Sequence, residues 1–395
     1  MNKKLIIQIV IVVVIIGAIV YLEEGKPRSV GPAQDVVVNY SPGASSSTNT
    51  TTSAATAPST PQQTAARIAE KAKQYLKAKE ITDPTGFINS PNASTSAPFA
   101  LSQFVGNKVI LLDFWTYSCI NCERTIPYLN AWYQKYKDYG LEIVGVHAPE
   151  FDFEKVYSNV ADAVQQYGIH YPVVLDSNMG TWDAYQNRYW PNEYLIDVDG
   201  YVVHNHIGEG DYAGTEEAIQ AALKERDAVL GLPDNVPPGI VSPADIIPMN
   251  VSDVQSPETY FGAERNEYLA SGQQGTIGSQ TLSVPTDQSS IQMNSLYLGG
   301  TWNFHDQYAE TTVANTKIIY QYNAKNVYFV AAASTSTAPA AGVKIDIILD
   351  GVSQGSITVK ENKLYNVIEG GMYGTHTLEL DVENPGLEAY TFTFG

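Results

Sequence analysis

Val109-Ile110-Leu111-Leu112-Asp113-Phe114-Trp115-Thr116-Tyr117-Ser118-Cys119-Ile120-Asn121-Cys122 opens as an apolar run and closes on two cysteines three positions apart. A short apolar run reads as a buried strand, and Ile126-Pro127-Tyr128-Leu129 beyond the cysteines as a helix with apolar positions at helical spacing. The cysteines then sit at a strand-to-helix junction, in the first turn of the helix. Free N–H groups and the positive dipole end of a helix N-terminus stabilise a thiolate. The Cys-x-x-Cys spacing keeps the second sulfur within disulfide reach of the first. The pair reads as redox-active.

These are the only 2 cysteines in 395 residues, which excludes a stapling framework of several disulfides. A static clip or half a zinc site is the plainer alternative. A zinc site needs further ligands, and neither a second cysteine pair nor a spaced histidine pair is present; His204 and His206 alternate along a strand. No metal or other cofactor is expected.

Working outward, Ala65 to Glu80 is Ala/Lys/Glu-rich with Ile68, Ala72, Tyr75 and Leu76 on one face, a helical pattern. Phe87-Ile88-Asn89 is a short strand, and Pro98 to Phe104 a strand end with a helical turn. The helix after Cys122 should run to about Tyr139 and close at Gly140. Leu141 to His147 is a second buried strand, Glu154 to Tyr167 a helix, and Tyr171 to Leu175 extended. Thr181 to Arg188 is helical; Glu193 to Ile196 and Tyr201 to His204 are strands joined by the turn Asp197-Val198-Asp199-Gly200; Glu216 to Leu230 is a final helix. The order β-α-β, an inserted helix, then α-β-β-α is the thioredoxin arrangement, which gives the Cys-x-x-Cys its expected setting. It spans residues 65–230.

Residues 231–257 are a boundary segment carrying Pro233, Pro237, Pro238, Pro243, Pro248 and Pro257. Residues 258–395 change texture: short β-branched and aromatic runs alternate with turns such as Gly299-Gly300, Asp350-Gly351 and Gly370-Gly371. Such a pattern reads as an all-β sandwich of jelly-roll type.

At the other end, Lys3-Lys4 precede an apolar run from Leu5 to Leu22 broken only by Gln8, Gly17 and Tyr21. At about 1.5 Å per residue it nearly crosses a hydrocarbon core of about 30 Å. No A-x-A-like cleavage site follows, so residues 1–23 read as an uncleaved signal-anchor helix. Residues 24–64 are then a Ser/Thr/Ala/Pro-rich tether, without a charged residue between Asp35 and Arg67. The formal net charge of −19 excludes a basic nucleic-acid-binding face.

Asp113 through Cys122, Gly145-Val146-His147-Ala148-Pro149-Glu150 and Arg188-Tyr189-Trp190-Pro191-Asn192-Glu193-Tyr194-Leu195-Ile196-Asp197 together resemble DipZ-type proteins of the broader TlpA/ResA-like thioredoxin group. Gly208-Glu209-Gly210-Asp211-Tyr212 also fits, and Glu258-Thr259-Tyr260-Phe261-Gly262 and Tyr390 to Gly395 resemble that family's carbohydrate-binding-like C-terminal domain. The resemblance implies an extracytoplasmic thiol-disulfide oxidoreductase acting on disulfide-containing proteins. DipZ proteins also carry a multi-span electron-transfer domain, where this sequence offers one span. A reductase would then draw electrons from a separate membrane donor of the CcdA type.

The resemblance also distributes roles. Cys119 is the nucleophile and Cys122 resolves the mixed disulfide. Asp113 matches the buried carboxylate of thioredoxins, placed to take the proton from Cys122; a strand-end acid reaching solvent is the alternative. Glu150 follows the strand after which TlpA/ResA-like proteins hold a glutamate near the sulfurs. Pro191 occupies the cis-proline position and sets the Trp190 backbone beside Cys119. Trp115 and Trp190 are candidates for an aromatic substrate rim, Trp115 equally for packing. Ile120-Asn121 contains no proline, histidine or cation, which tilts toward a reductase over a disulfide-forming oxidase. In a third reading the chain is a surface protein whose sandwich binds wall glycan through Tyr297, Trp302, Tyr308 or Tyr328 while the redox domain is vestigial; these aromatics serve equally as core.

Overall fold

The computed structural model describes residues 57–92, 94–244, 246 and 253–395. The proposed signal-anchor helix and most of the tether lie outside the described residues, among which no helix is long and apolar enough to cross a membrane.

Helix α1 (Pro61–Gln74) starts four residues earlier than its pattern suggests, because Thr60 and Gln63 form a reciprocal capping box with Pro61 at the first position. It also stops short of Glu80. Beyond Gln74 the chain turns extended, with Leu76 accepting from the Val202 amide (2.9 Å) and Ala78 donating to Gly200 (2.9 Å). The apolar stripe is not the docking face: α1 buries no residue and Leu76 is 83% exposed. Charge holds it instead. Arg67 forks onto Asp199 (2.6 and 2.8 Å), and Lys71 reaches Asp197 (2.5 Å) and Asp199 (3.0 Å) in the turn after the fifth strand.

The first domain is a six-stranded sheet of β1 (Gly86–Ile88), β2 (Val109–Trp115), β3 (Leu141–His147), β4 (Val173–Leu175), β5 (Asn192–Ile196) and β6 (Val202–Ile207), ordered β1-β4-β3-β2-β5-β6. Strands β2, β3 and β4 are parallel and the others antiparallel. Helices α2 (Ile120–Tyr136), α3 (Tyr157–Gln166), α4 (Gly180–Tyr185) and α5 (Tyr212–Leu230) complete it. The sequence reading runs α3 back to Glu154, but Asp152–Lys155 is a separate 3₁₀ turn, divided from α3 by extended Val156.

Every residue of β2 is buried, as expected of a central strand covered on both faces. Alternation sorts its side chains. Val109, Leu111 and Trp115 pack with Leu129 and Trp132 of α2 and Leu223 of α5, whereas Ile110, Leu112 and Phe114 pack with Val146 and Trp182 on the other face. Asp113 therefore falls on the α2 face, beneath the cysteine helix.

The segment after α5 is less detached than its prolines suggest. Val236 is buried against the first domain's core, and the Val241 amide donates to Glu216 (2.7 Å).

The C-terminal domain is all β, as its texture indicates: β7 (Thr259–Tyr260), β8 (Gly278–Leu282), β9 (Leu296–Phe304), β10 (Ala309–Thr311), β11 (Thr316–Ala324), β12 (Val327–Ala333), β13 (Val343–Leu349), β14 (Val352–Val359), β15 (Lys363–Ile368), β16 (Gly374–Val382) and β17 (Leu387–Phe394). Strand β9 joins the two halves. Its first residues pair with β11 and its last with β8 and β10, and between them Gly300 takes φ +94. A side chain there would also meet Thr316 Cγ2 at 2.6 Å, so the bend needs glycine. Trp302, Phe304, Tyr320, Phe329 and Phe392 fill the interior.

The aromatics considered as sugar platforms do not form an exposed one. Trp302 and Tyr328 are fully buried, Tyr297 nearly so, and half-buried Tyr308 stacks between His305 and Tyr390. Trp302 faces the sandwich core, Tyr297 packs on the opposite face of β9 with Ile291 and Ile319, and Tyr328 and Tyr308 are covered by the first domain.

Candidate active site

Cys119 is the N-cap of α2 and Cys122 its third residue. Both are free thiols, and the Cys122 amide donates to Cys119 Sγ (3.4 Å). Cys119 is half-buried and Cys122 only 1% exposed, so an incoming group can reach the first sulfur and not the second. Burial, then the Cys119 sulfur and the Asp113 carboxyl, push the Cys122 thiol well above its ordinary range.

The chain opposite is as the sequence suggests. The Trp190–Pro191 peptide is cis, and the Cys119 thiol faces the Trp190 carbonyl oxygen at 3.9 Å. The Trp190 ring is fixed by its N–H donating to the Ala148 carbonyl (2.9 Å) and by packing on Trp182 (4.3 Å between centroids). Trp190 thus borders the sulfur.

Trp115 does not. It is fully buried, edge-on to His147 (5.1 Å), and corrects the expectation of a substrate rim. The reason is its position in β2: the face shared with Leu111 points into the core under α2. Neighbouring β3 makes room with Gly145, where a Cβ would stand 2.9 Å from Trp115 Nε1.

Asp113 is 1% exposed, not a strand-end acid in contact with water, and its Oδ1 has no hydrogen-bond partner. Burial pushes its pKa up to about 8, so it holds a proton near neutrality. Directly across the β2–β5 ladder stands Glu193, also buried, whose two carboxyl oxygens lack partners of ordinary geometry. Burial and then the Asp113 charge raise Glu193 well above the carboxylate range, with the nearby Thr215 hydroxyl offsetting part of the shift.

Glu150 is engaged elsewhere. Its Oε1 accepts from the Tyr260 hydroxyl (2.8 Å) and from Arg265 Nη1 (2.7 Å), both in the C-terminal domain. Glu154 is the glutamate that turns toward the cysteine loop. It accepts from the Ser118 hydroxyl (2.6 Å) and from the amides of Glu150 (2.6 Å) and Phe151 (2.9 Å). Burial pushes Glu154 up to about 7, and the Ser118 hydrogen bond works against that shift. Sequence reasoning missed it because the 3₁₀ turn, not the strand end, aims the carboxylate.

His147 was also missed. It is buried, stacked on Tyr117 (5.7 Å), and held neutral by burial, with its pKa lowered to about 3. No ligand set for a metal includes either sulfur among the described residues; the cluster Asp197, Asp199 and Glu225 is spanned by Lys71.

The C-terminal domain abuts this site. The Tyr117 hydroxyl donates to the Asn362 carbonyl (3.2 Å), and Arg124 of α2 donates to the Tyr328 hydroxyl (3.3 Å) and pairs with Glu209 (3.0 Å).

Two family models match along the chain: the AhpC/TSA family over residues 77–205 and the thioredoxin-like C-terminal domain over residues 256–395. Protein DipZ of Mycobacterium bovis is 37% identical over 318 residues, 80% of this chain and 43% of that protein. The chain thus spans less than half the length of that relative. The thiol-disulfide oxidoreductase ResA of Bacillus thuringiensis is 37% identical over 118 residues, 30% of this chain and 63% of ResA. A solved thioredoxin-like protein in its oxidised form superposes with a TM-score of 0.35 at 26% identity, covering 38% of this chain and 97% of that one. A match of 318 residues in a chain of 395 must reach into both domains, and over them the chain belongs to the DipZ-type thioredoxin-like proteins.

Proposed function

We propose that this chain is an extracytoplasmic thiol-disulfide oxidoreductase, held to a membrane by its N-terminal apolar segment and working as a disulfide reductase. One observation carries the reading: a reachable Cys119 and a sealed Cys122 share one helix start, with the Trp190 carbonyl in front and Asp113 on the face beneath. The name of ResA supports the reaction class.

Cys119 attacks one sulfur of a substrate disulfide as the thiolate. A mixed disulfide forms, and the substrate's other sulfur leaves and takes up a proton. Where Asp113 is ionised, Cys122 passes its proton to that carboxylate and attacks Cys119 Sγ, forming the Cys119–Cys122 bond; the second substrate sulfur leaves and takes the proton back from Asp113. Two electrons and two protons leave the dithiol and reduce the substrate. Asp113 suits the task because a carboxyl ionising near pH 8 gives and takes a proton readily at neutral pH. Re-reduction draws on a membrane dithiol carrier of the CcdA type, and the substrates are disulfide-bearing proteins on the same side of the membrane.

Equilibrating the purified protein in glutathione buffers tests the direction. A reductase sits well below the roughly −120 mV of the strong oxidant DsbA, toward the roughly −270 mV of thioredoxin. A potential near that of DsbA overturns the reductase reading, and full disulfide-exchange activity in Cys119→Ser overturns the reaction itself.

A further inference from the structure

A cleft of about 670 Å³ runs alongside the cysteine helix, between the two domains. One wall is Tyr117, Glu123 and Tyr167 with the outer face of α3; the other is the unbroken stretch 361–366 of the C-terminal domain. Tyr117, two residues before Cys119, and Glu123, next after Cys122, both line it, so the cleft lies beside the loop and first turn that carry the cysteines.

The second wall is the start of β15 and the turn before it. Strand β15 ends the sheet: it pairs with β12, and no other strand among the described residues pairs with its far side. Successive residues of a strand point to opposite faces, so a face could offer only every second residue to a cavity. Here Leu364 packs toward the first domain's core and Tyr365 toward the sandwich core, yet both line the cleft, as does Asn366. What consecutive residues share is the edge of the strand. An unpaired edge presents a row of backbone donors and acceptors, the template on which an extended peptide adds as a further strand.

We infer that the open edge of β15 receives an extended segment of the substrate protein, flanking the disulfide that Cys119 attacks. The C-terminal domain is then part of the substrate site. Backbone pairing along β15 accepts many sequences, as a reductase of varied proteins requires. Side-chain preference comes from the walls, where Lys363 is paired with Glu361 (2.7 Å) and Asp162 is left as an acid without a basic partner in the lining, so basic residues beside the substrate cysteine are favoured. The Tyr167 hydroxyl lies within hydrogen-bond distance of Glu123 (2.7 Å) and of the Tyr117 carbonyl (3.0 Å), and its single proton shared between them keeps that wall in place.

The inference rests on the proposed exchange reaction, and one experiment separates their failures. The pre-reduced full chain is oxidised in single turnovers by insulin, a protein disulfide, and by 2-hydroxyethyl disulfide, too small to span the cleft. Asn366→Pro interrupts the edge, and Gln166→Trp, an exposed position on α3, fills the cleft from the opposite wall. Each is expected to lower the ratio of the insulin rate to the small-disulfide rate at least fivefold. If Asn366→Pro does not fold, Gln166→Trp decides alone. A ratio within twofold of the parent in the folded variants overturns the docking edge and leaves the reaction standing. Failure of both disulfides to oxidise the parent chain in a Cys119-dependent way overturns the reaction, and the docking edge with it.

Discussion

Asp113 and Glu193 stand directly opposite each other on adjacent antiparallel strands, each about 1% exposed. Two carboxyls sealed this closely do not ionise together, since burial and mutual repulsion both oppose the second charge. Asp113 ionises first, and its charge holds the proton on Glu193. The floor of the site is thus a pair of acids that stores protons at neutral pH. Around it lie the Cys122 thiol from α2, the buried Tyr171 hydroxyl, His206 across β6 from Glu193, and Asp211 and Thr215 at the start of α5.

Asp113→Asn should separate activity from stability. The folded-state pKa of about 8 lies above the ordinary 3.8, so the folded protein holds a proton that the unfolded chain has released. Stability therefore falls as pH rises from about 4 to about 8, and the variant escapes that fall. It should be more stable than the parent at pH 8, by on the order of 2–4 kcal/mol, and little different at pH 4. Urea titrations at the two pH values measure this. Resolution of the mixed disulfide should slow on the order of 10²-fold in stopped-flow traces.

Glu193→Gln should show the same sign. Burial, then the Asp113 charge, raise its folded pKa well above 4.5, so its penalty begins near pH 5 and grows as pH rises. The variant should therefore gain on the parent above pH 5. A gain that is flat from pH 5 to pH 9 would mean that Glu193 is ionised throughout.

Gly145→Ala should cost about 1–3 kcal/mol by crowding. The new methyl would stand 2.9 Å from Trp115 Nε1 and 3.2 Å from the Tyr171 ring, and neither ring can retreat within a covered strand face. The urea midpoint reports the cost. A shift below about 0.5 kcal/mol would mean that the layer under α2 yields more than close packing permits.

Arg265→Ala should weaken the join between the domains. Arg265 lies over the Tyr260 ring (3.7 Å) and pairs with Glu150 (2.7 Å), and its removal strands Glu150 beside Glu258. The cost should be about 2 kcal/mol, below the roughly 3–5 of a fully buried pair because the Arg265 side chain is 34% exposed. Thermal melts measure it, and an unchanged midpoint would mean that the pair adds nothing to the join.

The strand-to-helix junction, the two cysteines at its end and the all-β texture of the last third could be read from the residues, because period, capping and turn chemistry act over a few positions. The cis bond before Pro191 was suggested only by resemblance, as was the role of Asp113, whose burial the structure bears out. The misreadings share one cause. Trp115 borders the cysteines in sequence but faces the core, because β2 is central and both its faces are covered. Glu150 and Glu154 both follow β3. A 3₁₀ turn sends one carboxylate to Ser118, while Arg265, 115 residues away, takes the other.

By itself, the sequence determined the reactive pair and the element that carries it: a buried strand feeding a helix whose first turn holds both sulfurs. Strand register set Glu193 against Asp113, and domain packing laid the open edge of β15 beside Tyr117. Both relationships join residues far apart in the chain, and only the balance of burial over the whole fold selects such contacts.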